Sequence, residues 1–255
     1  MTEPGLRRCI LVPIDLHGIN RSTLETLVRI ARQLDRKLLG LLLDDVRLRQ
    51  VADLPFTTEI NLNNGQERNL LRDQLLQHQN LISADTRRQL NELAVNHQVE
   101  LSFENATGAR WTSAVGREGH LDIFFPARMR WHTKLPDHRA QANCIRRLGV
   151  ILANNETDTS IISTAALLSK ANLVGDIYLL CKQAPLAEQL HELHRHSHSL
   201  RLQKNFSCTP QGVLALIKQS PYDLLLLPGQ CLEDIPGAEL EAALDKSSGQ
   251  VLVIN

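Results

Sequence analysis

Aromatic residues are scarce in this chain, at 4% of 255 positions. That scarcity excludes the stacked-base platform of proteins that bind single-stranded nucleic acid. Lysine plus arginine equals aspartate plus glutamate at 28 each, so the formal net charge is zero. No global field draws the protein toward nucleic acid or an anionic membrane. The five cysteines, Cys9, Cys144, Cys181, Cys208 and Cys231, are odd in number and widely scattered, with no CxxC. Neither a disulfide framework nor a thiolate zinc site is expected from them. Apolar runs such as Leu38–Leu43 fall far short of a membrane span. The opening residues, Met-Thr-Glu-Pro-Gly-Leu-Arg-Arg, lack the apolar stretch of a signal peptide. A reduced, cytoplasmic protein is the expectation. No nucleophile elbow, Walker loop, zincin motif or dinucleotide fingerprint occurs, so nothing argues for catalysis.

What is present is a pattern written twice. Ile10-Leu-Val-Pro-Ile-Asp15 runs into Ser22–Leu34, and Val150-Ile-Leu-Ala-Asn154 runs into Asp158–Leu168. Each is a short apolar run ending in a carboxylate or amide, then a polar turn, then an amphipathic helix. The copies lie roughly 140 residues apart, which points to an internal duplication. With a length above that of most single domains, two units are expected, residues 1–145 and 146–255.

The second unit reads as strands at Val150–Ala153, Asp176–Cys181, Leu200–Leu202, Asp223–Pro228 and Val251–Ile254. Helices are expected from about Asp158, from Pro185, from Thr209-Pro210 at N-cap and N1, and over Ala238–Leu244. The first unit has strands at Ile10–Ile14, Leu38–Leu43, Val99–Phe103 and Leu121–Phe125, and no closing strand of its own. Ser22-Thr-Leu-Glu25 fits a capping box. A long helical stretch runs from Gln66 to about His97, either as one projecting helix or as two broken near Ser83-Ala-Asp85. Right-handed crossovers make this an α/β fold with mainly parallel sheets flanked by helices.

At these residues the chain resembles a tandem universal stress protein. Val12-Pro-Ile-Asp15, Asp223-Leu-Leu-Leu-Leu-Pro-Gly229 and Val251-Leu-Val-Ile254 carry the likeness. Leu41-Leu-Leu-Asp-Asp45 followed by Leu54-Pro-Phe-Thr-Thr-Glu-Ile60 is similar to a segment of bacterial tandem members. The resemblance implies two tandem Rossmann-like domains, the first with a long inserted helix. Many members bind ATP through the Asp ending the first strand and a Gly-x2-Gly-x9-Gly-Ser/Thr loop after the fourth. Asp15 matches that Asp, with Asn154 as its second-half counterpart, and Gly229 matches the first loop glycine. Leu232 stands in place of the second glycine, Ala242-Ala243 in the region of the third, and Arg128 at the first-half glycine position. ATP or another nucleotide is therefore the ligand class implied, on a degenerate motif, and no cofactor is expected.

The candidate ligand-binding residues are Asp15, Arg128, Arg130, Asn154 and Gly229. For Asp15 the plainer alternative is a turn or cap residue ahead of Asn20 and Ser22. Arg128 and Arg130 open a basic stretch with Trp131, His132, Lys134, Arg139, Arg146 and Arg147. It could hold an anion through guanidinium groups or serve as a solvated face. His191, His194, His196 and His198 form the densest histidine cluster, readable as metal ligands or as complements to a helix C-terminus. The function expected is non-catalytic: regulation or scaffolding through protein–protein contacts, related to stress response. The alternative is a sensor that binds a nucleotide or other anion in the first-half crevice near Asp15 and Arg128. A protein partner or a homo-oligomer is expected, with no nucleic acid and no membrane span.

Overall fold

The computed structural model describes residues 8–15, 18–44, 50, 54, 57–60, 65–69, 72–108, 110–115, 121–127, 145–153, 157–182, 187–197, 199–204, 206–219 and 221–255. Apolar β-type runs alternate with amphipathic helices along the chain. The first part carries β1 (Cys9–Ile14), α1 (Arg21–Gln33), β2 (Lys37–Asp44), the hairpin β3 (Thr58–Ile60) and β4 (Glu67–Asn69), and α2 (Arg72–His97). It continues with β5 (Leu101–Thr107), the short α3 (Arg110–Val115) and β6 (Asp122–Phe125). Then follow β7 (Ile145–Ile151), α4 (Thr157–Lys170), β8 (Val174–Cys181), α5 (Ala187–His196), β9 (Ser199–Lys204) and α6 (Pro210–Gln219). The chain closes with β10 (Leu224–Pro228), a 3-10 turn at Gly229–Leu232, α7 (Gly237–Lys246) and β11 (Gln250–Ile254).

Nine strands form one sheet in the order β5-β2-β1-β6-β11-β10-β7-β8-β9. Read inward from either edge, the order of strands is the same: third, second, first, fourth in each half. The second half adds β11, which pairs parallel with β10 and antiparallel with β6. Among the described residues it is the sheet's single antiparallel step, and it lies beside β6, where the first half shows no fifth strand. The fold is α/β with a mainly parallel sheet, and its strands point one way in the first half and the opposite way in the second. The carboxyl ends of β1, β2, β5 and β6 therefore lie on one edge of the sheet. Those of β7 to β11 lie on the other.

Strand alternation sorts the apolar residues into two cores. Ile10, Val12 and Ile14 join Leu224, Leu226 and Leu252 under α1, α2, α4 and α5. Leu11, Leu225, Leu227, Val251 and Val253 join Val213, Ile217, Leu240 and Leu244 under α3, α6 and α7. The four-leucine run of β10 thus serves both faces, as a strand covered on both sides must. Each fully buried leucine contributes roughly 2 kcal/mol.

Several local expectations shift. The cap of α1 is Asn20, whose Oδ1 accepts the Thr23 N–H at 2.7 Å and the Ser22 hydroxyl at 2.8 Å. Ser22 is the second residue of the helix, and its carbonyl accepts from Thr26 Oγ1. An Asn side chain satisfies the free N–H groups of the first turn as well as a serine does, and here it is the better placed. The long helix begins at Arg72, because residues 67–69 are drawn into a hairpin with 58–60. It runs as one 26-residue α-helix through Ser83–Asp85. Among its described side chains, Thr86, Leu90, Leu93 and Ala94 are buried, whereas Leu81 and Val95 are 69% and 77% exposed.

Cys208 and Cys231 are paired as a disulfide, with Cα atoms 6.3 Å apart across 23 residues of sequence. The scattered spacing concealed this pairing, because the turn after β10 meets the start of α6 only in the folded chain. Among the described residues no helix is long and apolar enough to cross a membrane.

Candidate functional site

Asp15 and Gly229, two of the expected ligand residues, lie at opposite edges of the sheet, so they are separate places. Asp15 follows β1 at the first edge and Gly229 follows β10 at the second.

At the first edge, β5 is followed by Gly108, whose φ of +125° suits glycine, shortly before α3 begins. The first residue of that helix is Arg110, whose side chain is only 4% exposed. Its Nε lies 3.7 Å from Asp15 Oδ2 and 3.3 Å from Glu241 Oε1. Its Nη2 donates to Asp245 Oδ1 at 2.6 Å. The Glu241 carboxylate also accepts the backbone N–H of Arg110 at 3.3 Å and of Trp111 at 2.9 Å. One side chain of α7 therefore caps the start of α3 and holds its arginine. Three carboxylates converge on one guanidinium, a geometry that suits its planar fork of donors.

Asp15 is a turn residue, since its carbonyl accepts the Gly18 N–H at 3.3 Å, but it is not the cap of α1. Asn20 caps α1, and the Asp15 carboxylate faces the Arg110 guanidinium. In the second half, Asn154 lies outside the described residues. There the nearby carboxylate of Asp158 folds back to accept the Ala153 N–H at 2.8 Å.

At the second edge, a Cβ built on Gly229 would come within 1.9 Å of Asn255 Oδ1. Asn255 Nδ2 donates to the Leu121 carbonyl at 2.5 Å, and its backbone N–H donates to Asp122 Oδ1 at 3.2 Å. The glycine is needed so that this amide can lie against the backbone. The 3-10 turn Gly229–Leu232 follows directly, where a phosphate loop would need further glycines.

Asp122 is fully buried, and its Oδ2 lies 3.4 Å from Arg36 Nη2. Burial pushes its carboxyl above the usual carboxylate range, with Arg36 and the Asn255 N–H pulling the other way. Burial likewise raises the Cys9 thiol to about 11, which leaves it an unreactive thiol at neutral pH.

Two hollows complete the picture. A cavity of about 440 Å³ opens between α3 and the 3-10 turn, lined by residues including Trp111, Leu232, Glu233, Ile235 and Asn255. A crevice of about 450 Å³ lies at the carboxyl ends of β2 and β5, where Leu76 and Asn80 of α2 face Leu42, Asp44 and Thr107. Both fall within the size range of small-molecule pockets.

No protein-family model and no curated protein matches this chain.

Arg128, Arg130 and His198 lie outside the described residues, as does most of the basic stretch. Its last members, Arg146 and Arg147, open β7 with exposed side chains, and their backbone N–H groups both donate to Asp223 Oδ2. His191 and His194 are exposed on α5, and His196 at its end offers its carbonyl to Ser169 Oγ at 2.8 Å. Among the described residues no group of three or more His, Cys, Asp or Glu side chains could hold a metal ion. Sequence reasoning missed Arg110, Glu241, Asp245 and Asn255. One signal for them exists: Glu241 and Asp245 are like charges four apart on a helix, which is unfavourable without a cation across from them.

Proposed function

We propose that this protein is a tandem, universal-stress-like protein of the cytoplasm that acts through protein contacts and carries no catalytic site. Its two halves, 1–145 and 146–255, stand as a single-chain equivalent of a two-domain pair. The observation that supports this most is self-occupancy. Arg110 lies against Asp15 and Asn255 fills the space at Gly229, so the chain's own side chains take both positions at which the family would hold a nucleotide. Filling a ligand position internally spends its polar groups on folding and leaves a nucleotide without partners there. The repeated strand order, third-second-first-fourth in each half, supports the tandem reading.

Contact with a partner is favoured by α2. Its Leu81 and Val95 lie fourteen residues apart, just short of four helical turns, and both are exposed. Exposed apolar side chains such as these can serve as anchors for a partner, with Asp85, Arg88 and Glu92 lying between them. The first measurement is thermal unfolding with and without millimolar Mg-ATP, for which no shift is expected. Saturating ligand would add about 2 kcal/mol or more, and a gain of that size would displace this reading in favour of a nucleotide sensor. The second is co-purification from the native cell with wild type and with Leu81→Asp/Val95→Asp. A stoichiometric partner, or a second copy, should be retained by the first and lost by the second.

A further inference from the structure

The Cys208–Cys231 pair stands apart from the proposed function and carries an inference of its own. Cys231 is buried within the 3-10 turn after β10, whereas Cys208 is half-buried just before Thr209, whose Oγ1 accepts the Gly212 N–H at the start of α6. The turn has no side-chain cap, and it closes through Glu233 N–H to the Gln230 carbonyl at 3.4 Å and Ile235 N–H to the Leu232 carbonyl at 3.1 Å. The same turn supplies one wall of the 440 Å³ cavity through Gly229, Leu232, Glu233 and Ile235, facing Trp111 and Val115 of α3.

We propose that Cys208 and Cys231 form a reversible thiol-oxidation site whose closed form fixes this cavity wall. Cys208 is half-buried rather than enclosed, and disulfides near the surface are the labile, responsive ones. The oxidant is a low-molecular-weight disulfide such as glutathione disulfide. The Cys208 thiolate attacks one of its sulfurs, forming a mixed disulfide and releasing one glutathione thiolate. The Cys231 thiolate then attacks the Cys208 sulfur, closing the protein disulfide and releasing the second glutathione thiolate. The two protons lost by the protein thiols end on the two glutathiones. The protein loses two electrons and glutathione disulfide gains them.

The test uses the full chain equilibrated in glutathione buffers from fully reduced to fully oxidised, then trapped by alkylation. Peptide mass mapping should show the Cys208–Cys231 cross-link rising with glutathione disulfide and disappearing with dithiothreitol. Amide hydrogen exchange over residues 229–235 should be on the order of tenfold slower in the oxidised protein, with β1 unchanged. Cys208→Ser should exchange at the reduced rate in both buffers. Three results would each overturn the proposal. The two thiols could remain alkylatable in excess glutathione disulfide, the cross-link could persist in dithiothreitol, or it could form without altering exchange over 229–235.

Discussion

The two carboxyl edges of the sheet are closed by different physics. At the first, Asp15, Glu241 and Asp245 surround one buried guanidinium, and the closure is electrostatic. At the second, Asn255 lies where a Cβ on Gly229 would be, and the closure is steric. An electrostatic closure depends on every member, because removing the cation leaves three carboxylates facing one another, two of them largely shielded from water. A steric closure depends on one missing carbon, and the side chain it admits can swing aside. The first edge should therefore be far more costly to disturb than the second.

Removing the guanidinium gives the largest expected effect. Arg110→Ala should lower stability by about 3 kcal/mol in urea unfolding, through loss of the shared cation and of the tie between α3 and α7. Arg110→Lys should recover only part of this, since an ammonium cannot serve Glu241 and Asp245 as a planar fork does. A loss below about 1 kcal/mol for the alanine variant would mean that the cluster is a surface arrangement.

A smaller effect is expected at the other edge. Gly229→Ala should cost about 1 kcal/mol, the worth of the Asn255 hydrogen bond to Leu121 that must open to admit the Cβ. In an Asn255→Ala background the same substitution should be nearly neutral. A double-mutant cycle checks this, and additive losses would show that the glycine serves something other than Asn255.

The Lys37–Glu100 pair, at 2.6 Å but exposed on both sides, calibrates the scale. Lys37→Ala should change stability by no more than about 0.5 kcal/mol, and less in high salt. If it matched Arg110→Ala, burial would not be what separates the two.

The finest test is a change of slope with pH. Asp122 has a raised carboxyl pKa in the folded protein, against 3.8 for the ordinary group, so folding tightens its hold on a proton. The stability this contributes is complete below the unfolded value and is lost as pH rises through the folded one. From about pH 4 upward, wild type should lose stability relative to Asp122→Asn, measured as the difference between their unfolding midpoints across pH. The opposite slope would mean that the ion pair to Arg36 outweighs burial.

Much of the architecture was legible because strands and helices announce themselves locally. Leu224–Pro228 reads as a strand covered on both faces, and Thr209-Pro210 reads as a helix start, which it is. The hairpin over 58–60 and 67–69 was not legible, since three-residue strands carry no period to count. Nor was α3, six residues long, whose arginine looks like any loop cation until its partners 131 and 135 positions away are brought to it. Asp15 and Gly229 could be placed at strand ends, but whether those ends were open could not be read from their neighbours.

The sequence by itself determined the alternation of elements and the repetition of their pattern. These follow from periodicity, caps and turn residues, all of which act within a few positions of the chain. Only the tertiary structure decided that β11 would close both halves into one sheet, that Arg110 would meet Asp15, that Asn255 would lie on Gly229, and that Cys208 would find Cys231. Each of these contacts joins residues far apart in the chain, and its energy exists only once the sheet has set their distance.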